Sequence, residues 1–126
     1  MDHIVIHLPF PISVNAAYVN NNKGRGRGRF KSKKLRQWLD DCDRMVQWAD
    51  LTGITGWYRV ECRLKPRKDK RRRDLSNFWK VVGDLLVARG MVEDDCFEYS
   101  LFITWDDEID ADCVVKIKKV ERNVCQ

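Results

Sequence analysis

The chain has two histidines, three prolines and five cysteines, none of them in a Cys-x-x-Cys pair. His3 and His7 lie four apart in an apparent strand with no cysteine beside them, so a zinc site of the His/Cys type is not expected. No third histidine exists to build a triad around a serine or cysteine nucleophile. Any chemistry must therefore run on carboxylates, on lysine, or on a metal that carboxylates hold. No uncharged run is long enough to span a bilayer, which excludes a membrane helix. The start, Met1-Asp2-His3-Ile4, lacks a basic segment followed by an apolar one, so a signal peptide is not expected and the expected compartment is the cytoplasm. The odd, widely spaced cysteines (Cys42, Cys62, Cys96, Cys113, Cys125) agree with a reducing environment and read as small buried residues or surface thiols.

What is present points to one compact domain. The 126 residues are 44% hydrophobic and include five Trp, five Phe and three Tyr, enough for a core beneath a surface that is 34% charged across the chain. The net charge of +5 is mild, but its placement is not. Seven basic residues and no acid fall between Lys23 and Lys34, and seven more with one acid fall between Lys65 and Arg73. The acids gather in Glu93-Asp94-Asp95 and between Asp106 and Asp112. Segregated charge suits a polyanion, although a solvated loop has the same composition.

The pattern along the chain predicts an α+β fold. His3–Leu8 alternates as a strand that Pro9 and Pro11 end. Ser13–Arg29 reads as a long loop, with a flexible basic stretch over about residues 19–30 where Gly24, Gly26 and Gly28 alternate with Arg25, Arg27 and Arg29. Leu35, Trp38, Leu39, Cys42, Met45, Val46 and Ala49 recur at helical spacing and predict a helix from about Ser32 to Asp50. Trp57–Leu64 alternates as a strand. Asp74 and Ser76 are both helix N-cap types, and Phe78, Val81, Val82, Leu85 and Leu86 form one apolar face that runs toward Gly90. Phe97–Trp105 and Cys113–Val120 predict two more strands, joined by the acidic loop as a hairpin. The order is β-α-β-α-β-β, giving a mixed sheet covered by two helices in a single domain.

The window from Arg71 to Asp95 holds the best candidate site. On the second long helix Asn77 and Asp84 nearly superimpose in rotation, and Lys80 lies about 60° to one side. Asp74, Asn77 and Lys80 could face one ligand. Phosphodiester cleavage needs an activated water and neutralisation of the charge that develops on phosphorus. Mg2+ held by aspartates and assisted by a lysine provides both. The same residues also read as a capped, solvated helix start followed by an acidic turn.

These residues resemble a known family. Arg71-Arg72-Arg73-Asp74-Leu75-Ser76-Asn77-x-x-Lys80-x-x-x-Asp84-x-Leu86, followed by Gly90 and Glu93-Asp94-Asp95, is similar to the RusA-type Holliday junction resolvases. Leu8-Pro9-Phe10-Pro11, Ser13-x-Asn15 and Tyr18 agree as well, so the likeness spans nearly the whole chain. The resemblance implies a Mg2+-dependent endonuclease, with Mn2+ as a substitute. It implies a homodimer that places paired nicks across a four-way DNA junction, in DNA recombination and repair. It also implies a bacterial host cell and a phage or prophage origin. No small-molecule cofactor is expected. Carried over by position, Asp74 and Asp95 are metal ligands, with Asp94 beside them, and Lys80 is the catalytic lysine. Asn77 and Arg73 stand on the substrate side. DNA contacts are expected from Arg67, Lys68, Lys70, Arg71 and Arg72, from Arg25, Arg27 and Arg29, and from Asn15.

One position departs from the family pattern. Its second motif aspartate falls on Ser76, a neutral and weaker ligand. Asp94, Glu93 or Asp84 could supply the missing carboxylate, a single metal could suffice, or the chain could bind junctions and cleave them poorly or not at all.

Overall fold

In the computed structural model residues 3–21, 28–67 and 74–121 are described. A four-stranded sheet forms the frame, from β1 (His3–Leu8), β4 (Tyr58–Leu64), β5 (Glu98–Trp105) and β6 (Cys113–Lys119) in the order β1-β6-β4-β5. β6 is antiparallel to both β1 and β4, whereas β4 and β5 are parallel. A parallel neighbour needs a crossover, and α3 (Ser76–Ala88) provides it. α2 (Lys33–Met45) and α3 lie on one face of the sheet. Their Leu35, Trp38 and Cys42, and Phe78, Val81, Val82, Leu85 and Leu86, share one core with Ile4, Ile6, Leu8, Val60, Cys62, Leu64, Val115 and Ile117. The expected α+β class, mixed sheet and pair of covering helices are present.

The expected hairpin is not. β4 lies between β5 and β6, and residues 106–112 arch over its end. Asp106 N donates to Leu64 O at 2.8 Å, and Lys65 N donates to Asp112 O at 2.9 Å. Burial explains the order. Cys113, Val115 and Ile117 of β6 are fully buried, a gain of about 1.5–3 kcal/mol for each large apolar side chain that a central position secures. β5 keeps Tyr99, Leu101 and Phe102 exposed and takes the edge.

The segment expected to be a loop also has structure. A short α1 (Val14–Ala17) is capped by Ser13 and leads into a hairpin of β2 (Tyr18–Asn21) and β3 (Gly28–Lys31). Ser32 then does two jobs. Its hydroxyl donates to Ala16 O at 2.8 Å and accepts from Leu35 N at 3.1 Å, tying the hairpin base to the start of α2. α2 ends at Met45 rather than near Asp50, because Val46 is extended and Trp48–Asp50 form a separate 3-10 turn. Phe30 is 54% exposed opposite Val19.

Candidate active site

α3 places the candidate residues by its periodicity. Its apolar face is buried against the sheet, which leaves Asn77, Lys80 and Asp84 on the flank. Lys80 Nζ lies 3.2 Å from Asp84 Oδ1, one turn on. Both side chains are well exposed, so the pair adds only about 0.2–1 kcal/mol to stability. Its effect is on orientation and charge: hydrogen bonding to Asp84, and then its charge, hold the Lys80 ammonium above its ordinary pKa.

Residues 89–95 return alongside this helix. Gly90 adopts φ +76°, and Met91 N donates back to Leu86 O at 2.9 Å, closing the helix end. Gly53 lets the chain pass, because a Cβ there would run into the Gly90 carbonyl. Ile54 N then donates to Met91 O at 2.9 Å, and Glu93 Oε1 accepts from Gly56 N at 2.8 Å. Trp79 Nε1 donates to Glu98 Oε1 at 2.9 Å and clamps the start of β5 against the first turns of α3.

Asp95 is thereby brought into the field of Lys80 and Asp84. A hydrogen bond and the charge of Asp94 push the Asp95 carboxyl above its ordinary pKa, with Lys80 opposing. Asp94 moves the other way, lowered by its bond to Asp95 and by the Cys96 backbone N–H that its Oδ1 accepts at 3.4 Å. Negative potential extends inward to Tyr58, whose phenol is pushed up to about 12, first by burial and then by Glu98, Asp95 and Asp94.

Asp74 has different neighbours. It lines a pocket of about 370 Å³ at the start of α3, with Phe10, Ser13, Lys34, Arg67 and Asn77. The Arg67 guanidinium lies 4.8 Å from the centre of the Phe10 ring. Asp74 Oδ1 accepts from both Ser76 N (3.1 Å) and Ser76 Oγ (2.8 Å), so the serine at the departing position is bonded to the first candidate ligand. Asn77 stands between the two halves, one turn from Asp74 and one from Lys80. Asn15 is exposed on α1, which packs against α3.

The helix and its return segment thus put Asp95 in the field of Lys80 and Asp84, with Asp94 bonded to Asp95, and the pocket brings Asp74, Asn77 and Arg67 together. Among the described residues no group of three or more His, Cys, Asp or Glu is gathered closely enough to hold a metal by itself, so Asp74 does not complete a set with Asp94 and Asp95. The aspartate pair still fits Mg2+, which takes one or two carboxylates and fills its remaining positions with water and substrate phosphate. Arg25, Arg27, Lys68, Lys70, Arg71, Arg72 and Arg73 lie outside the described residues, as does the Arg29 side chain. Sequence reasoning missed Lys34 and Ser13 as pocket residues. Lys34 sits in the basic run and in the first turn of a helix, and neither signal places it beside Asp74.

Among the described residues no helix is long and apolar enough to cross a membrane. The chain matches no family model and no curated protein.

Proposed function

We propose that the protein is a Mg2+-dependent, structure-selective DNA endonuclease that resolves four-way junctions by paired nicks as a homodimer, in the manner of the RusA-type resolvases it resembles. The observation that carries this reading is the electrostatic coupling of Lys80 and Asp95. They lie 15 residues apart in sequence, and the α3 return segment puts them in each other's field. Asp95, with Asp94 or Asp74, would hold the cation, which when bound supplies an acidified water and charge neutralisation. The chain's own groups supply the rest. Lys80, kept charged and oriented by Asp84, donates to a non-bridging phosphate oxygen as charge builds there. Asn77 and Arg67 offer further donors to the phosphate on the pocket side, and Lys34 adds positive charge. The Gly-Arg tract joining β2 and β3, with Phe30 exposed beside it, would grip a neighbouring arm.

The second reading, a junction-binding protein with weak or absent cleavage, is favoured by one contact. Ser76 donates to Oδ1 of Asp74, one of the two oxygens this carboxylate could offer a metal. Ser76→Asp distinguishes the two readings: a strong rise in nicking marks the serine as a weakened ligand position, and no change assigns the ligand to another carboxylate. The primary test is nicking of a mobile four-way junction against a matched linear duplex, with Mg2+ and with EDTA. Paired nicks confined to the junction and lost in EDTA are expected. Tight binding without nicks in Mg2+ or Mn2+ would move the assignment to the binding protein.

A further inference from the structure

Among the described residues the sheet carries helices on one face, and its other face is ordered by the strand register into three rows. The first row reads His3, Lys118, Arg59, Ser100 across β1, β6, β4 and β5; the second reads Val5, Lys116, Glu61, Phe102; the third reads His7, Val114, Arg63, Thr104. The acid in these rows is already engaged, since Glu61 Oε1 accepts from Arg63 Nη2 at 2.9 Å, and the same guanidinium bonds Asp106 at 3.0 Å. Arg59, Lys116 and Lys118 are exposed, and among the described residues none of them has a carboxylate partner. Arg59 and Lys118 stand directly opposite one another, an arrangement that destabilises a sheet unless an anion lies over it. Beside these cations Phe102 is 55% exposed. A shallow groove of about 270 Å³ runs between them, lined by Arg59, Glu61, Ser100, Phe102, Lys116 and Lys118.

We propose that this open sheet face binds single-stranded DNA. Among the described residues Arg59, Lys116 and Lys118 have no ion-pair partner and outnumber the acid beside them, which complements a phosphate backbone, and an exposed ring on a flat sheet offers a stacking surface that only an unpaired base can use. A second copy of the chain would be the wrong occupant, because two such faces would press like charges together. The choice of DNA over RNA rests on the nuclease reading above. The site itself does not, since it lies across the sheet from α3 and shares no residue with the Lys80–Asp95 cluster. It holds a strand away from the cleavage site, which gives a branched substrate an unpaired segment to engage.

The test is fluorescence anisotropy of a short labelled oligothymidylate with the full chain, over a salt series. Phe102→Ala is expected to weaken binding about tenfold, and Phe102→Trp to restore it. Lys116→Ala with Lys118→Ala is expected to flatten the slope of log affinity against log salt by about 0.7 for each lost phosphate contact. Arg36→Ala, which removes an exposed cation from α2 on the helix side, should bind the oligothymidylate as the unchanged chain does. Unchanged affinity and slope in the Phe102 and Lys116/Lys118 variants would overturn the proposal. So would a matched duplex that competes equally, or a Phe102→Ala chain that loses binding by changing its sedimenting mass. Junction nicking measured on the same proteins separates the two readings. Nicking with a face-independent oligothymidylate affinity defeats only this inference, and face-dependent binding without nicking defeats only the nuclease assignment.

Discussion

The two sides of the sheet handle charge in opposite ways. On the helix side acids and bases alternate: Lys80 pairs with Asp84 at 3.2 Å, Asp95 lies in the field of both, and Arg89 pairs with Asp43 at 2.8 Å. On the open side Arg59, Lys116 and Lys118 stand without carboxylate partners among the described residues. Mixed charge orients groups and tunes their protonation, which is what a reacting phosphate needs. Charge of one sign attracts a polyanion and leaves it unreacted. On the proposed reading, the difference separates a place where DNA would be cut from a place where it would be held.

The comparison breaks most visibly at Lys80. Lys80→Met is expected to lower single-turnover junction nicking by about a hundredfold or more while leaving junction affinity nearly unchanged. An equal loss of affinity would make Lys80 a binding residue. The separation of the two faces is sharpened by combining Lys80→Met with Phe102→Ala. Their effects on oligothymidylate binding and on nicking should be independent, with coupling below about 0.5 kcal/mol, because the two side chains occupy opposite faces of the sheet. A larger coupling would join the faces into one site. Trp79 positions rather than reacts. Trp79→Phe removes the donor to Glu98 and should cost about 1 kcal/mol of stability. It should also lower kcat with little change in KM, whereas a purely structural tryptophan would leave the kinetics of the folded fraction intact.

The smallest effect concerns the frame. Arg89 makes a forked contact to Asp43, and Trp48 Nε1 donates to the same carboxylate at 2.9 Å. These bonds, Arg89 first, hold the Asp43 carboxyl below its ordinary pKa. A lowered carboxyl stabilises the fold fully above the ordinary carboxylate range, and that contribution is lost as pH falls through the lowered value. Both partners keep solvent contact, so Asp43→Ala should cost only about 1 kcal/mol near neutral pH, less in high salt. Thermal unfolding at neutral and acidic pH should show the wild-type advantage shrinking as the acid limb is entered. An advantage that grows in acid would assign the wrong sign.

Much of this architecture is legible in the residues, because burial writes a period into the chain. The apolar steps of Phe78, Val81, Val82, Leu85 and Leu86 gave α3, and alternation gave Tyr58–Leu64 and Cys113–Lys119 within a residue of their ends. Pairing is not written that way. Seven residues between β5 and β6 look like a hairpin loop, and only competition for the sheet centre shows that β4 passes beneath them. The β2–β3 hairpin was masked by its own asparagines and glycines, which carry turn signals stronger than the alternation of four-residue strands. Asn77, Lys80 and Asp84 could be placed on one stripe by helical geometry, whereas the approach of Asp95 depended on Gly53 and Gly90 letting two backbones touch. The cations of the open face were readable in principle, as the charged positions of each strand. Their alignment into rows required the register.

The most direct test of the central claim is a paired measurement on one mobile four-way junction, with single-turnover nicking in Mg2+ and equilibrium binding in EDTA, for the unchanged chain and for Asp95→Asn. The account predicts paired nicks from the unchanged chain, their loss in Asp95→Asn, and junction binding by both. Nicking that survives Asp95→Asn would contradict it and remove the α3 return segment from the chemistry.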